Sequence, residues 1–248
     1  MFRNTFQSGF ISILYASGSY PLQLWDIHLE DDGQMRLIKD TSDGDGDDAN
    51  LDESNNVSGP VIEMTCSNFS QNYIICPFKL ESSPERPSLG ITLPVLYLTM
   101  YMPERIKKQQ QQKMNHFSVE VTVLDDKQTT RRFRCSTFQS TTSVKADICT
   151  FPLRLTQRPR RLIREQLLLY PFEHDNPHQS NEQEDDCEPC WNRVCIPLAE
   201  YTHKAYGTKL LETKHIQIHG RHFHLNRVYF AEKQVSEDEL PQELRLFQ

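Results

Sequence analysis

Two cysteines have the types and spacing that could hold a metal ion. Cys187 and Cys190 form a CxxC pair with Cys195 close behind, and thiolates are preferred zinc ligands. A structural zinc site needs four ligands, and the sequence offers no second CxxC or spaced histidine pair to complete this one. We therefore interpret Cys187 and Cys190 as an incidental pair of thiols. They are nevertheless the metal candidates that the sequence provides, and we expect no cofactor.

A second group of possible ligands consists of four histidines in the last forty residues, His215, His219, His222 and His224. On a strand His215 and His219 would share one face, whereas the turn at 220–221 reorients the two that follow. The sequence nearby supplies no carboxylate of the kind that orients a metal-binding or catalytic histidine. We therefore predict that these are histidines on the polar faces of strands, without a site of their own.

Arginines form the third group, and their chemistry is electrostatic. The run 131–134 (RRFR) lies on a predicted strand, which places Arg132 and Arg134 on one face and Arg131 with Phe133 on the other. Five more arginines crowd the stretch 154–164, which contains no acidic residue. Such a patch either is ordinary solvated surface or meets an anionic polymer, which could be nucleic acid or an acidic protein lattice.

The net charge of −7 is unevenly distributed, because two short runs are strongly acidic and the rest of the chain is basic. Of the 34 acidic residues, seven lie in 40–53 and seven in 173–188, so the remaining twenty face all 27 basic ones. Charge-blocked runs cannot bury enough apolar surface to offset the entropy of ordering. We therefore predict mobile polar insertions at 40–58, at the Gln-rich stretch 104–115, and at 157–190.

The elements that must position these residues are mainly strands, because the dominant pattern is alternation with period two. The segment 117–124 (FSVEVTVL) is the clearest case, and after a polar turn 130–135 resumes as its hairpin partner. Short helices are predicted at 197–207 and, as an amphipathic segment, between Pro159 and Pro171. The predicted fold is all-β: a single β-sandwich or jelly-roll-like domain over 1–248 with one or two short helices. The other predicted strands are 10–15, 22–29, 61–66, 73–76, 95–102, 193–196, 215–219 and 223–230.

Several classes of function lose support from the sequence. Glycine is scarce at nine residues, and no GxGxxG, Walker-type, GxSxG or HExxH pattern is present, so we predict a protein that is not an enzyme. The amino terminus lacks the pattern of a secretory signal, and the longest apolar runs are too short to span a bilayer, so we expect a soluble protein without a membrane partner.

Five segments closely resemble the cilia- and flagella-associated protein 20 family, in the family's order and from both ends of the chain. They are MFRNTFQSGFISILYASGSYPLQLWD at 1–26, LGITLP at 89–94, VLDDKQTTRRFRCSTFQSTTSVKADICTFPLRL at 123–155, AYGTKLLETKHIQIH at 205–219 and RVYFAEKQVSEDELPQELRL at 227–246. The three predicted insertions depart from the pattern of ordinary members, which are shorter and more basic. The chain is thus identified as a divergent paralogue.

The resemblance implies a non-catalytic β-sandwich at the inner junction of ciliary doublet microtubules, where the A- and B-tubules are linked. Its implied partners are tubulin and the parkin co-regulated protein, its implied role is ciliary or sperm-flagellar motility, and a basal-body, centrosomal or nuclear location is also associated with the family. Because tubulin surfaces are acidic, we expect a basic docking surface. Its candidate residues are Arg131, Arg132, Arg134, Lys145, Arg154, Arg158, Arg160, Arg161 and Arg164.

Two other binding functions stay open at the level of the sequence. A nuclear, nucleic-acid-associated protein would use the same basic patches, although no reader motif is present and we expect no nucleic-acid partner. A carbohydrate-binding sandwich would need an exposed aromatic platform, whereas Trp25 and Trp191 lie in strand-like segments and are predicted to be core residues.

Overall fold

The computed structural model describes residues 1–30, 32–39, 59–103, 115–159 and 187–245, apart from the side chains of 157–159 and 187–189. Strands dominate these ranges. They are β1 (Phe10–Tyr15), β2 (Asp26–His28), β3 (Gln34–Lys39), β4 (Pro60–Thr65), β5 (Tyr73–Cys76), β6 (Val95–Tyr101), β7 (Phe117–Asp125), β8 (Thr130–Ser136), β9 (Ser143–Val144), β10 (Ile148–Pro152), β11 (Gln157–Pro159), β12 (Cys187–Pro189), β13 (Asn192–Pro197), β14 (Leu210–Gly220) and β15 (His222–Ala231). Helix α1 spans Leu198–Tyr206, and a 3-10 turn spans Gln242–Leu244.

Two sheets organise most of these strands. The six-stranded sheet has the order β13-β6-β15-β4-β3, with β1 pairing the carboxyl-terminal half of β15. The seven-stranded sheet has the order β2-β5-β14-β7-β8-β10-β9, in which β10 pairs with β8 in parallel. A separate ribbon joins β11 and β12. This confirms the predicted all-β sandwich class.

The main core fills the space between the two sheets. On β7 the residues Val119, Val121 and Val123 are fully buried, while the residues between them are partly exposed, as expected of a strand with one dry face. Helix α1 contributes Tyr201, whose ring contacts that of Phe151 with 4.9 Å between centroids. The alternation that predicted the strand therefore also identifies its buried side.

The outer face of the six-stranded sheet is covered by the carboxyl-terminal segment of the chain itself. Tyr97 and Tyr229 stack on neighbouring strands, with 5.0 Å between ring centroids, and Val235, Leu240 and Leu244 pack over them. The Val235 backbone N–H donates to the Tyr97 hydroxyl at 3.1 Å. The central strand β6 is consequently buried on both faces.

The amino terminus is fixed to β14 by the segment that carries the LGITLP motif. The Phe2 N–H donates to the Leu89 carbonyl at 2.6 Å, and the Thr213 N–H donates to the Ile91 carbonyl at the same distance. Between them Gly90 has a φ of +69°, which glycine adopts without a steric penalty. A methyl group there would lie 2.8 Å from the Arg3 backbone nitrogen, so the glycine serves a close approach of two chain segments.

Most predicted elements are present, and the differences have local causes. The helix predicted at 197–207 is confirmed as α1, which Gly207 ends in a left-handed conformation. The strand predicted at 22–29 is wrong in its first half, because 21–24 form turns that bring the Trp25 indole N–H to the Ile13 carbonyl at 2.9 Å. Strands β3, β9 and β10 were not predicted. Strands β11 and β12 were not predicted either, and they pair at the two ends of the segment 157–190, where a mobile insertion was predicted. The helix candidate between Pro159 and Pro171 lies outside the described residues, as do nearly all of the three predicted insertions.

Within the described ranges, no helix is long and apolar enough to cross a membrane.

Candidate docking surface

The outer face of the seven-stranded sheet carries the predicted strand arginines. Arg132 and Arg134 on β8 lie opposite Thr122 and Glu120 on β7, and all four side chains point away from the core. The Arg132 and Arg134 side chains are 41% and 43% exposed. We call Glu120, Thr122, Arg132 and Arg134 the arginine face. The prediction that Arg132 and Arg134 share a side is confirmed.

Two acidic neighbours, Glu120 and Asp147, offset the charges of the two arginines on this face. Glu120 accepts two hydrogen bonds from Arg134, at 3.0 and 2.7 Å from Nε and Nη2 to Oε2, and a nitrogen of Arg132 lies 3.8 Å from its other oxygen. Arg132 also reaches the exposed carboxylate of Asp147 at 3.1 Å. Glu120 therefore orients both guanidinium groups from the middle of the face, and both groups stay partly exposed to solvent.

Arg131 has a different environment from the other two arginines. Its Nε lies 3.0 Å from Oδ2 of Asp125, a carboxylate with no exposed surface, and its guanidinium carbon lies 4.3 Å from the centre of the Tyr206 ring. Only 15% of the Arg131 side chain is exposed. Burial would raise the pKa of the Asp125 carboxyl, but hydrogen bonds from the Thr129 N–H and from Arg131 together hold that pKa below its ordinary value. Arg131 thus compensates a buried charge at the end of the β7–β8 hairpin.

The remaining basic candidates fall into two groups. Lys145 lies in the turn before β10 and is exposed beside the arginine face, its backbone N–H donating to the Ile148 carbonyl at 2.9 Å. Arg154, just after β10, is also exposed. The backbone of Arg158 is part of β11, opposite Glu188, but its side chain is outside the described part of the structure. The same holds for the whole of Arg160, Arg161 and Arg164.

Rings form a continuous strip across the other half of the same outer face, which the sequence analysis did not find. Tyr73 on β5 stacks on His28 of β2 at 4.5 Å and approaches His219 of β14 at 5.1 Å between centroids. The chain of contacts continues through Phe69 to Phe138, whose side chain is 47% exposed. Burial lowers the pKa of His219, which favours the neutral ring in this environment. These positions are spread over the 192 residues from 28 to 219, so only the tertiary structure brings them together.

The four carboxyl-terminal histidines divide between the two sheets. His215 and His219 lie on β14 in the seven-stranded sheet, and His222 and His224 lie on β15 in the six-stranded sheet. The prediction that the turn at 220–221 separates the pairs is confirmed. The statement that no carboxylate stands near these histidines is wrong, because Oε1 of Glu63 lies 3.4 Å from Nε2 of His222 and 3.7 Å from Nε2 of His224.

Glu63 is missed by the sequence argument because it precedes the histidines by some 160 residues. It reaches them through the pairing of β4 with β15, in which Glu63 lies directly opposite His224. The signal for this residue in the sequence is that the charged Glu63 interrupts the apolar residues Val61, Ile62 and Met64 of the predicted strand 61–66.

The cysteines within the described residues are mostly buried or hydrogen-bonded. Cys190 donates from its sulfur to the Thr156 carbonyl at 3.2 Å, whereas the side chain of Cys187 is outside the described residues. Burial raises the pKa of the Cys195 thiol to about 11 and gives Cys135 and Cys149 the character of core residues. The metal-binding capacity of the Cys187–Cys190 pair stays a prediction.

The two tryptophans belong to the interior. Trp25 is 5% exposed in the main core, and Trp191 is 4% exposed beside Tyr101, with 5.7 Å between ring centroids. The prediction that both are core residues is confirmed, and neither offers a platform to a sugar ring.

The chain matches the model of the CFA20 domain over residues 1–163 and 185–248. It is similar to the cilia- and flagella-associated protein 20 of Paramecium tetraurelia, with 35% identity over 247 residues that cover 100% of this chain and 96% of that protein. The similarity to the protein of the same name from Chlamydomonas reinhardtii is also 35% over 247 residues, covering 100% and 97%. A solved structure of xylanase 10B modules from Clostridium thermocellum covers 90% of this chain and 29% of its own, at 6% identity and a TM-score of 0.34, a likeness too remote to support an argument.

Proposed function

Since this chain belongs to the CFA20 domain family and resembles cilia- and flagella-associated proteins along its whole length, its role is related to the cilium or flagellum, and we propose that it acts there as a structural, non-enzymatic component. The specific place we propose is the inner junction of the doublet microtubule, with tubulin and the parkin co-regulated protein as neighbours. The full-length similarity to proteins named for this organelle is the observation that carries the proposal.

The fold suggests which surface would dock. The carboxyl-terminal segment covers much of the outer face of the six-stranded sheet, whereas the opposite face of the sandwich presents half-exposed arginines and the strip of rings. We therefore assign docking to the outer face of the seven-stranded sheet. Basic groups aimed at an acidic filament increase both the association rate and the affinity, and a component repeated along a filament needs only modest affinity for each copy.

Among the candidate basic residues, Arg132 and Lys145 are the ones we expect to contact an acidic lattice. Arg134 is held in two hydrogen bonds by Glu120, and Arg131 is occupied by a buried carboxylate. Arg132 is 41% exposed and its described acidic neighbours lie at 3.1 and 3.8 Å, so it can exchange partners at little cost. Lys145 is exposed, and its backbone N–H donates to the carbonyl of Ile148, which is the pairing partner of Arg132.

Co-sedimentation with microtubules tests this assignment. The variant Arg132→Glu/Lys145→Glu reverses two charges and leaves the Arg134–Glu120 pair intact. Exposed ion pairs contribute ~0.2–1 kcal/mol each, so we expect affinity to fall about tenfold, and the loss to shrink as salt is added.

The matched control is Arg36→Glu/Lys39→Glu, which makes the same change in net charge on the exposed edge strand β3 of the other sheet. Binding that is unchanged in the first variant, or weakened equally in both, would contradict the assigned surface.

A parallel titration with RNA separates this function from the nucleic-acid alternative. That alternative requires the chain to bind RNA more tightly than microtubules, and it requires the Arg132→Glu/Lys145→Glu variant to weaken RNA binding.

A further inference from the structure

We propose that Glu63, His222 and His224 form a binding site for a divalent transition-metal ion, with Zn²⁺ as the preferred ion. They are the described His, Cys, Asp and Glu residues whose ligand atoms gather in a group of three, all within 4.8 Å of one another. Two imidazoles and a carboxylate are an established donor set for zinc. The site lies on the outer face of the six-stranded sheet and is separate from the proposed docking surface.

The spacing of the ligand atoms fits a tetrahedral ion. With bonds of about 2.0–2.1 Å, two ligands of a tetrahedral zinc ion lie roughly 3.4 Å from each other. Oε1 of Glu63 lies 3.4 Å from Nε2 of His222 and 3.7 Å from Nε2 of His224. The two separations from Glu63 therefore already match those of a tetrahedral ion within a few tenths of an ångström, and the ligand atoms of the two histidines lie within 4.8 Å of one another.

The strands hold the three side chains in place from behind. His222 and His224 are two residues apart on β15 and so share a face, and Glu63 is the direct pairing partner of His224 on β4. The residues that alternate with them, Met64 and Phe223, are buried in the main core. Ligands on rigid, core-anchored strands lose little conformational freedom when a metal binds.

The burial of the ligands increases from one side of the site to the other. The His222 side chain is 29% exposed, that of Glu63 19% and that of His224 10%, so the site is shielded yet open at its edge. The His224 ring packs against Tyr101 with 5.4 Å between centroids. Three protein ligands leave a fourth position at the exposed edge for water or for a donor atom of a neighbouring protein.

An ordinary ion pair is the competing explanation, in which Glu63 interacts with a protonated histidine and no metal binds. The described structure gives Glu63 the two histidines as ion-pair partners, because Arg36, which lies opposite Glu63 on β3, donates to Gln34 of its own strand. Because an ion pair needs no metal, the two explanations differ in whether the purified chain takes up Zn²⁺ at these residues.

The experiment is a Zn²⁺ titration of the full chain after removal of metal with a chelator, followed by competition with a coloured zinc indicator. We expect a single equivalent to bind and the thermal unfolding midpoint to rise with Zn²⁺ concentration. Glu63→Gln and His222→Asn/His224→Asn should each weaken binding at least tenfold. If the double variant fails to fold, the near-isosteric Glu63→Gln alone decides.

Two controls separate this site from other possible ligands. His203→Asn removes an exposed histidine of α1 and should leave the affinity unchanged, as should Cys187→Ser/Cys190→Ser. The Co²⁺-substituted chain should show ligand-field bands without a thiolate charge-transfer band. The proposal is overturned if no Zn²⁺ binds, if Glu63→Gln binds as tightly as the unaltered chain, or if only the cysteine variant loses binding.

Discussion

Replacing Asp125 tests whether the β7–β8 hairpin depends on a buried carboxylate. The side chain has no exposed surface and accepts hydrogen bonds from the Lys127 N–H at 3.1 Å, the Thr129 N–H at 2.8 Å and Arg131 Nε at 3.0 Å. In Asp125→Ala the two N–H groups lose their acceptor and the guanidinium, 15% exposed, loses its counter-charge. Removing one partner of a buried pair costs ~3–5 kcal/mol, and we expect a loss of that size in the free energy of unfolding.

A double-mutant cycle separates the charge pair from the other bonds. Asp125→Asn keeps an oxygen for the N–H groups but loses the charge, and Arg131→Met keeps much of the apolar stem. Urea unfolding of both single variants and the double variant should give a coupling energy of ~1–3 kcal/mol. The exposed Arg132→Met serves as the control and should change stability by less than about 0.5 kcal/mol.

Two results would refute this reasoning. A cost below about 1 kcal/mol for Asp125→Ala would mean that the carboxylate is not supporting the turn. Additive effects of Asp125→Asn and Arg131→Met would mean that the pair is not energetically coupled, and Arg131 would then return to the group of candidate docking residues.

Three further predictions concern pH, the amino-terminal contact and the covering segment. The pKa of Asp125 is lower in the folded chain than its unfolded value of about 3.9. The carboxylate therefore stabilises the fold fully above that unfolded pKa, and this contribution is lost as the pH falls through the folded pKa. The difference in unfolding free energy between the unaltered chain and Asp125→Asn should be constant near neutrality and shrink below pH ~4. Gly90→Ala should cost ~1–3 kcal/mol in urea unfolding, because φ is +69° and the methyl group would press on Arg3, and a cost near zero would contradict this contact. Leu240→Ala should cost ~2–4 kcal/mol, because the side chain is 2% exposed against Tyr97 and Tyr229; a stability unchanged within error would show that the carboxyl-terminal segment does not cover the sheet.

The sequence predicted best those strands that have one buried face and one solvent-exposed face. The alternation on β7 and the polar turn after it identified the hairpin and the shared side of Arg132 and Arg134, because a period of two is a local property. The short strands β9 and β10 were missed. Strand β10 has only five residues and pairs in parallel with β8, so its place depends on a partner sixteen residues earlier in the chain.

The grouping of the candidate sites needed the tertiary structure. Glu63 meets His222 and His224 only through the register of β4 with β15, and the strip from Tyr73 to Phe138 crosses several elements. Arg131 illustrates a different limit: its charge was visible in the sequence, but the buried Asp125 that occupies it was not. The local sequence pattern predicts on which side of a sheet a residue lies, whereas the residues that it contacts there depend on which strands pair and in what register.

The central claim is that the chain is held in the ciliary axoneme through the outer face of the seven-stranded sheet. The direct measurement is the retention of the tagged chain in detergent-extracted axonemes, compared between the unaltered protein, Arg132→Glu/Lys145→Glu and the control Arg36→Glu/Lys39→Glu. We predict that the unaltered protein and the control remain with the doublet microtubules while the first variant is released by extraction. An unaltered chain that is washed out, or a first variant that is retained as fully as the control, would contradict the claim.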